Sequence, residues 1–140
     1  MSEVLRIAIE RTQPAVVVGE HAADIEQYRR QAAVLHEPRV PYLLEINDIA
    51  AGVLLCGRIR TKALAEQVGV THSTFTHALG YLTANKLLES VRVEEEGARH
   101  YYFQPSAALL WAAQQPAYEE LHYALEDHAE RLTARASDNS

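Results

Sequence analysis

Residues 58–104 carry the pattern that most constrains this chain: two short helical periodicities meet at a glycine, and two β-like runs follow at once. Leu64, Ala65 and Val68 recur at helical spacing behind Thr61, a residue type suited to cap a helix. Gly69 stands where the chain must reverse. Such a reversal needs positive φ, which glycine adopts without a Cβ clash. Thr71 then caps a second helix, predicted to run to about Asn85. Residues 89–94 and 99–104 alternate as strands do, and the Glu-Glu-Gly between them predicts a hairpin.

The order helix, glycine turn, helix, hairpin predicts a winged helix-turn-helix, mainly α with a small β-hairpin wing. Its flanks read as helices. Residues 20–35 place Ala23, Ile25, Tyr28, Ala32 and Leu35 mostly on one side. Pro38 and Pro41 separate that helix from another over 42–56, with Leu43, Ile46, Ile49, Ala50 and Val53 in step and Gly57 as its stop. Ser106 caps a last helical region, interrupted or kinked at Pro116 and reaching about Ala134. Residues 4–18 are ambiguous between strand and frayed helix. With 140 residues the chain is long enough for one domain. The expected division is an N-terminal extension and helix (1–41), a winged core (42–104), a C-terminal dimerisation helix (105–136) and a frayed tail (137–140).

The helix behind Thr71 separates sharply on a wheel of 100° per residue. Phe75, Ala78, Leu79, Tyr81 and Leu82 fill one arc; His72, Ser73, Thr76, His77, Gly80, Thr83 and Ala84 fill the other. A solvated helix face normally carries Glu and Lys. This one is small and carries no carboxylate, although its glycine costs about 1 kcal/mol against alanine. Small polar side chains suit close approach to a duplex: hydroxyls donate or accept at base edges and phosphates, and threonine methyls touch thymine. Small residues also permit close packing against another protein element, which is the competing reading.

The stretch TKALAEQVGVTHSTFTHALGYLTANKLLESVRVEEEGARHYYF resembles the winged-helix repressors of the ArsR/SmtB and MarR type, within residues 42–104. Ala65 and Gly69, four apart, match the close-packing alanine and turn glycine of that family's helix-turn-helix. Thr71, Ser73, Thr74, Thr76 and His77 match the polar positions of its reading helix, and Asn85-Lys86-Leu87-Leu88 matches the helix end that leads into the wing. The resemblance implies a homodimeric repressor that binds a palindromic site in double-stranded DNA and answers to a ligand, metal or redox signal. The expected DNA-binding residues are Thr61, Lys62, Thr71, His72, Ser73, Thr74, Thr76, His77 and Gly80, with Arg92, Arg99 and His100 from the wing. Two departures stand out: the reading helix has no Arg or Lys, and the wing tip is Glu94, Glu95 and Glu96.

The charge of −6 argues against a generic nucleic-acid-binding surface. Its distribution is uneven. Residues 58–104 hold six Lys/Arg against five Glu, a net +1, while the other 93 hold seven against fourteen, a net −7. The reading unit is thus the least acidic part of an acidic protein. Histidines facing phosphate favour the protonated form, so binding is expected to strengthen as pH falls from about 8 to about 6.

No nucleophile, phosphate-loop, zinc-protease or dinucleotide motif occurs, so no enzyme and no cofactor are expected. Cys56 lacks a second cysteine for a thiolate pair, and it reads as a buried, inert thiol at an apolar helix end. His122 and His128 lie six apart, about 240° round a helix, and cannot share one metal from a single helix; no metal site is expected. A lone cysteine, no apparent signal peptide and no apolar run near 18 residues point to a cytoplasmic protein without a membrane span.

Tyr118, Leu121, Leu125, His128 and Leu132 follow spacings of three and four, a heptad seam expected to form the dimer interface with help from the N-terminal helix. The same stripe fits docking on the domain's own core. Three functional classes compete: a dimeric repressor; a plasmid or phage DNA-binding factor for partition, replication or excision; and a winged helix used for protein–protein interaction, which the acidic balance and wing tip favour.

Overall fold

The computed structural model describes residues 22–138, with the side chains at 22, 132 and 134–138 outside the described part. The ambiguous stretch at 4–18, and with it the start of the helix expected from residue 20, lies outside the described residues. The chain is mainly helical with a small antiparallel sheet. Helix α1 (Ala22–Ala32) runs into a 3-10 turn (Ala33–Leu35). Helix α2 (Leu43–Cys56) follows, then strand β1 (Ile59–Arg60), helices α3 (Thr61–Val68) and α4 (His72–Ala84), strands β2 (Leu88–Glu95) and β3 (Ala98–Pro105), and helices α5 (Ala107–Ala113) and α6 (Glu119–Asp138).

Helix α2 is the centre of the molecule. Every residue from Ile46 to Leu55 except Asp48 is buried. A helix apolar almost all round belongs inside, and α2 packs against α3, α4 and α6. Asn47, wholly buried on this helix, donates from Nδ2 to the carbonyls of Leu35 and Leu43, both at 2.9 Å. Those two carbonyls flank residues 36–42, so one amide closes the base of that turn.

Gly69 ends α3 at φ 73, in the left-handed region that the reversal requires. Helix α4 begins as expected: Thr71 Oγ1 accepts from the Thr74 amide. It closes with Leu87 N–H bonded to Leu82 O and Lys86 N–H to Thr83 O, the paired reverse bonds of a Schellman ending. Lys86 takes the left-handed position usually given to glycine (φ 58).

Several elements depart from the sequence reading. Thr61 is the first residue of α3 rather than its cap; Arg60 holds that position and makes no side-chain cap bond. The hairpin gains a third strand, because Ile59 and Arg60 pair with Phe103 and Tyr102 to give the order β1-β3-β2. Two residues form too short a pattern to show as a strand in sequence. Helix α6 continues to Asp138, so residues 137 and 138 are helical and not tail. Cys56 is exposed, not buried; its Sγ lies 3.5 Å from Gln67 Oε1.

The largest correction concerns the heptad stripe. Tyr118, Leu121, Leu125 and His128 are at most 2% exposed within one chain. Helix α6 lies along α2, and His128 Nε2 sits 3.6 Å from Asp48 Oδ1 of α2. Side chains with no surface left cannot supply a dimer interface, so these four belong to the protomer's own core. Burial also pushes the Tyr118 phenol above its ordinary pKa, with the Arg29 guanidinium pulling the other way. Leu132 lies outside the described side chains.

Candidate nucleic-acid interface

Helix α4 puts the two arcs of its wheel where the periodicity placed them. Phe75, Ala78 and Leu82 are buried, and Leu79 and Tyr81 pack on the core from partly buried positions. His72, Ser73, Thr76, His77, Gly80, Thr83 and Ala84 are all exposed, with Thr71 before them and Thr74 half-buried at the edge. A Cβ at Gly80 would meet nothing within 4 Å, so the face is open at its middle. Thr61 and Lys62 are exposed at the start of the neighbouring α3.

The hydroxyls on this face are partly committed. Thr76 donates to His72 O at 2.9 Å, and Thr83 donates to Leu79 O at 3.1 Å. Thr71 and Thr74 hydroxyls bond each other at 3.0 Å. A hydroxyl whose hydrogen goes to its own backbone keeps lone pairs and a methyl for a neighbour. The face therefore offers acceptors and methyl groups, with His72, Ser73 and His77 able to donate.

The β2–β3 hairpin does not gather its three expected contacts. In the β2–β3 register Arg92 faces Tyr101 and Glu94 faces Arg99, while His100 faces Val93. Paired residues share a face and successive residues alternate. Arg92, Arg99 and the exposed Tyr101 thus share one face, and His100 lies on the other. His100 Nδ1 is 2.8 Å from an Arg60 guanidinium nitrogen. Arg99 Nε is 3.8 Å from Glu94 Oε1, with both side chains about two-thirds exposed, an arrangement worth little energetically but enough to dilute the Arg99 charge.

The hairpin turn is Glu96-Gly97, with φ of 53 and 79. Two successive positive φ values match the two-residue turn that favours Asn-Gly. Glu96→Asn is therefore expected to stabilise the fold by about 0.5–1 kcal/mol, because asparagine tolerates the left-handed region better than glutamate. Urea unfolding checks this; no gain would mean that the Glu96 carboxylate compensates its strained backbone.

Sequence reasoning missed Tyr42. It caps α2 in a left-handed conformation (φ 63). The residue is 40% exposed, and its ring stacks on the His77 ring of α4, centroids 5.8 Å apart and planes at 20°. The two residues are 35 apart in sequence, beyond any local periodicity.

Among the described residues no three His, Cys, Asp or Glu side chains come together as a metal site, and no helix is long and apolar enough to cross a membrane. No protein-family model, no curated protein and no solved structure matches the chain.

Proposed function

We propose that this protein is a sequence-specific, double-stranded-DNA-binding transcriptional regulator of the winged helix-turn-helix class, acting as a homodimeric repressor in the cytoplasm. The observation that carries this reading is the exposed face of α4: seven residues, small or polar, with no carboxylate and an open centre. The element order supports it, with α2, β1, α3, α4 and the β2–β3 hairpin following one another as the parts of such a unit do. Two copies are proposed because one short reading helix spans only a few base pairs and two-fold pairing doubles the contact. They join through a surface other than the Tyr118–His128 stripe, which is buried in the protomer's own core.

A second reading, a winged helix that binds another protein, is favoured by the exposed Glu94, Glu95 and Glu96 at the wing tip. A salt titration separates the two. DNA binding requires affinity that falls steeply with salt and is stronger for one duplex sequence than for others. A protein-interaction module gives no measurable duplex binding even at low salt.

His72 and His77 stand exposed on the reading face. A phosphate favours the protonated imidazole, so binding takes up protons and tightens as pH falls through the histidine range. Duplex affinity is expected to rise several-fold from pH 8 to pH 6 at constant salt, measured by fluorescence anisotropy. A flat profile would remove both histidines from the contact.

A further inference from the structure

Helix α4 carries no Lys or Arg, yet affinity for a duplex comes largely from cations placed against phosphate. The structure points to another source beside it. The turn at residues 36–42 is exposed at every position except the half-buried Val40. It is held at four places. Asn47 bridges the carbonyls of Leu35 and Leu43 at its base. His36 packs edge-on against the buried Tyr118, ring centroids 4.7 Å apart. Val40 packs on the core and bonds from its amide to Glu37 O at 3.1 Å. Tyr42 closes the turn by stacking on His77 of the reading helix.

At the crest of this turn stands Arg39. Its side chain is exposed, and its guanidinium has no hydrogen bond or ion pair among the described residues. Two residues separate it from Tyr42, so the Arg39 and Tyr42 Cα atoms lie within about 11 Å of each other. Glu37 is the opposing charge. Its carboxylate accepts from the Arg39 amide at 3.3 Å, which turns it toward the turn's own backbone.

We infer that the turn at 36–42 is a preformed phosphate clamp: Arg39 binds a backbone phosphate of the same duplex that α4 reads, and Tyr42 fixes the clamp's position relative to α4 through its stack on His77. This inference rests on the DNA-binding reading proposed above. A cation on a rigid turn loses little freedom on binding. The clamp also accounts for a reading helix without positive charge, because the charge comes from a segment that precedes α2.

The test uses the full chain and a duplex recovered by selection with the wild-type protein. Arg39→Ala should weaken binding about three- to tenfold near 0.1 M salt and make the log–log salt slope shallower by about 0.9. Glu37→Gln should tighten binding. Tyr42→Asn keeps a residue type that tolerates the left-handed position and should weaken binding several-fold. Without DNA, the same variant should move the His77 imidazole proton signals as the ring current of Tyr42 is lost. If the wild type binds duplex but Arg39→Ala leaves slope and affinity unchanged, the clamp is refuted and the DNA-binding reading stands. Unmoved His77 signals in Tyr42→Asn would refute the stack as its anchor. If the wild type binds no duplex even at low salt, the DNA-binding reading fails and the clamp fails with it.

Discussion

Thr76→Glu is expected to abolish duplex binding while leaving the fold intact. Thr76 sits in the middle of the exposed face of α4, and its hydroxyl bonds only back to His72 O. The residues that hold α4 to the core, Phe75, Ala78 and Leu82, lie on the opposite arc. A longer carboxylate at position 76 would enter the groove unpaired and face two phosphate backbones. The expected loss is at least about 100-fold, close to 3 kcal/mol, against a stability change under about 0.5 kcal/mol for an exposed substitution. Thr133→Glu is the control. Thr133 is also an exposed helical threonine bonded to the carbonyl four residues before it, but on α6. Equal losses in both variants would mean that net charge alone matters. Unchanged binding by Thr76→Glu would remove α4 from the groove and end the regulatory proposal.

Asn47→Ala is expected to destabilise the fold by about 2–3 kcal/mol. The change removes one buried and one part-buried hydrogen bond, each worth about 1 kcal/mol net, and leaves Leu35 O in the interior without that donor. Equilibrium urea unfolding measures the loss. Near the lower end of that range the chain still folds at low temperature, and duplex binding there should show a weakened salt response, because Asn47 closes the turn that carries Arg39. A loss under about 0.5 kcal/mol would show that the amide tie contributes nothing to the fold.

Much of this protein is legible in the sequence alone. Gly69 announced a left-handed reversal because few other residues take that conformation cheaply. Thr71 and Ser106 announced helix starts, and both side chains accept the third amide onward. The two arcs of α4 were readable because a helix repeats every 3.6 residues and its buried side must be apolar. The hairpin was placed within a residue or two at each end, since alternation and the Glu-Gly turn are local signals.

What escaped was everything that depends on which surface meets which. The stripe Tyr118, Leu121, Leu125 and His128 showed from its spacing that something covers it. Periodicity carries no information on whether the cover is the same chain or a twin, and the tertiary structure assigns it to the same chain: α6 packs on α2, and Tyr118 on His36 and Trp111. Cys56 looked buried from its apolar neighbours Leu54 and Leu55, but it sits at the last turn of α2, where the helix face rotates out of the core. Strand β1, Asn47's grip on Leu35 and the Tyr42–His77 stack join residues between 12 and 44 positions apart. Short-range pattern determined the elements and the side that each turns outward, because backbone geometry and solvent act residue by residue. Only the folded chain decided the pairings between those elements, because they depend on distances that loops set and that no repeat along the sequence encodes.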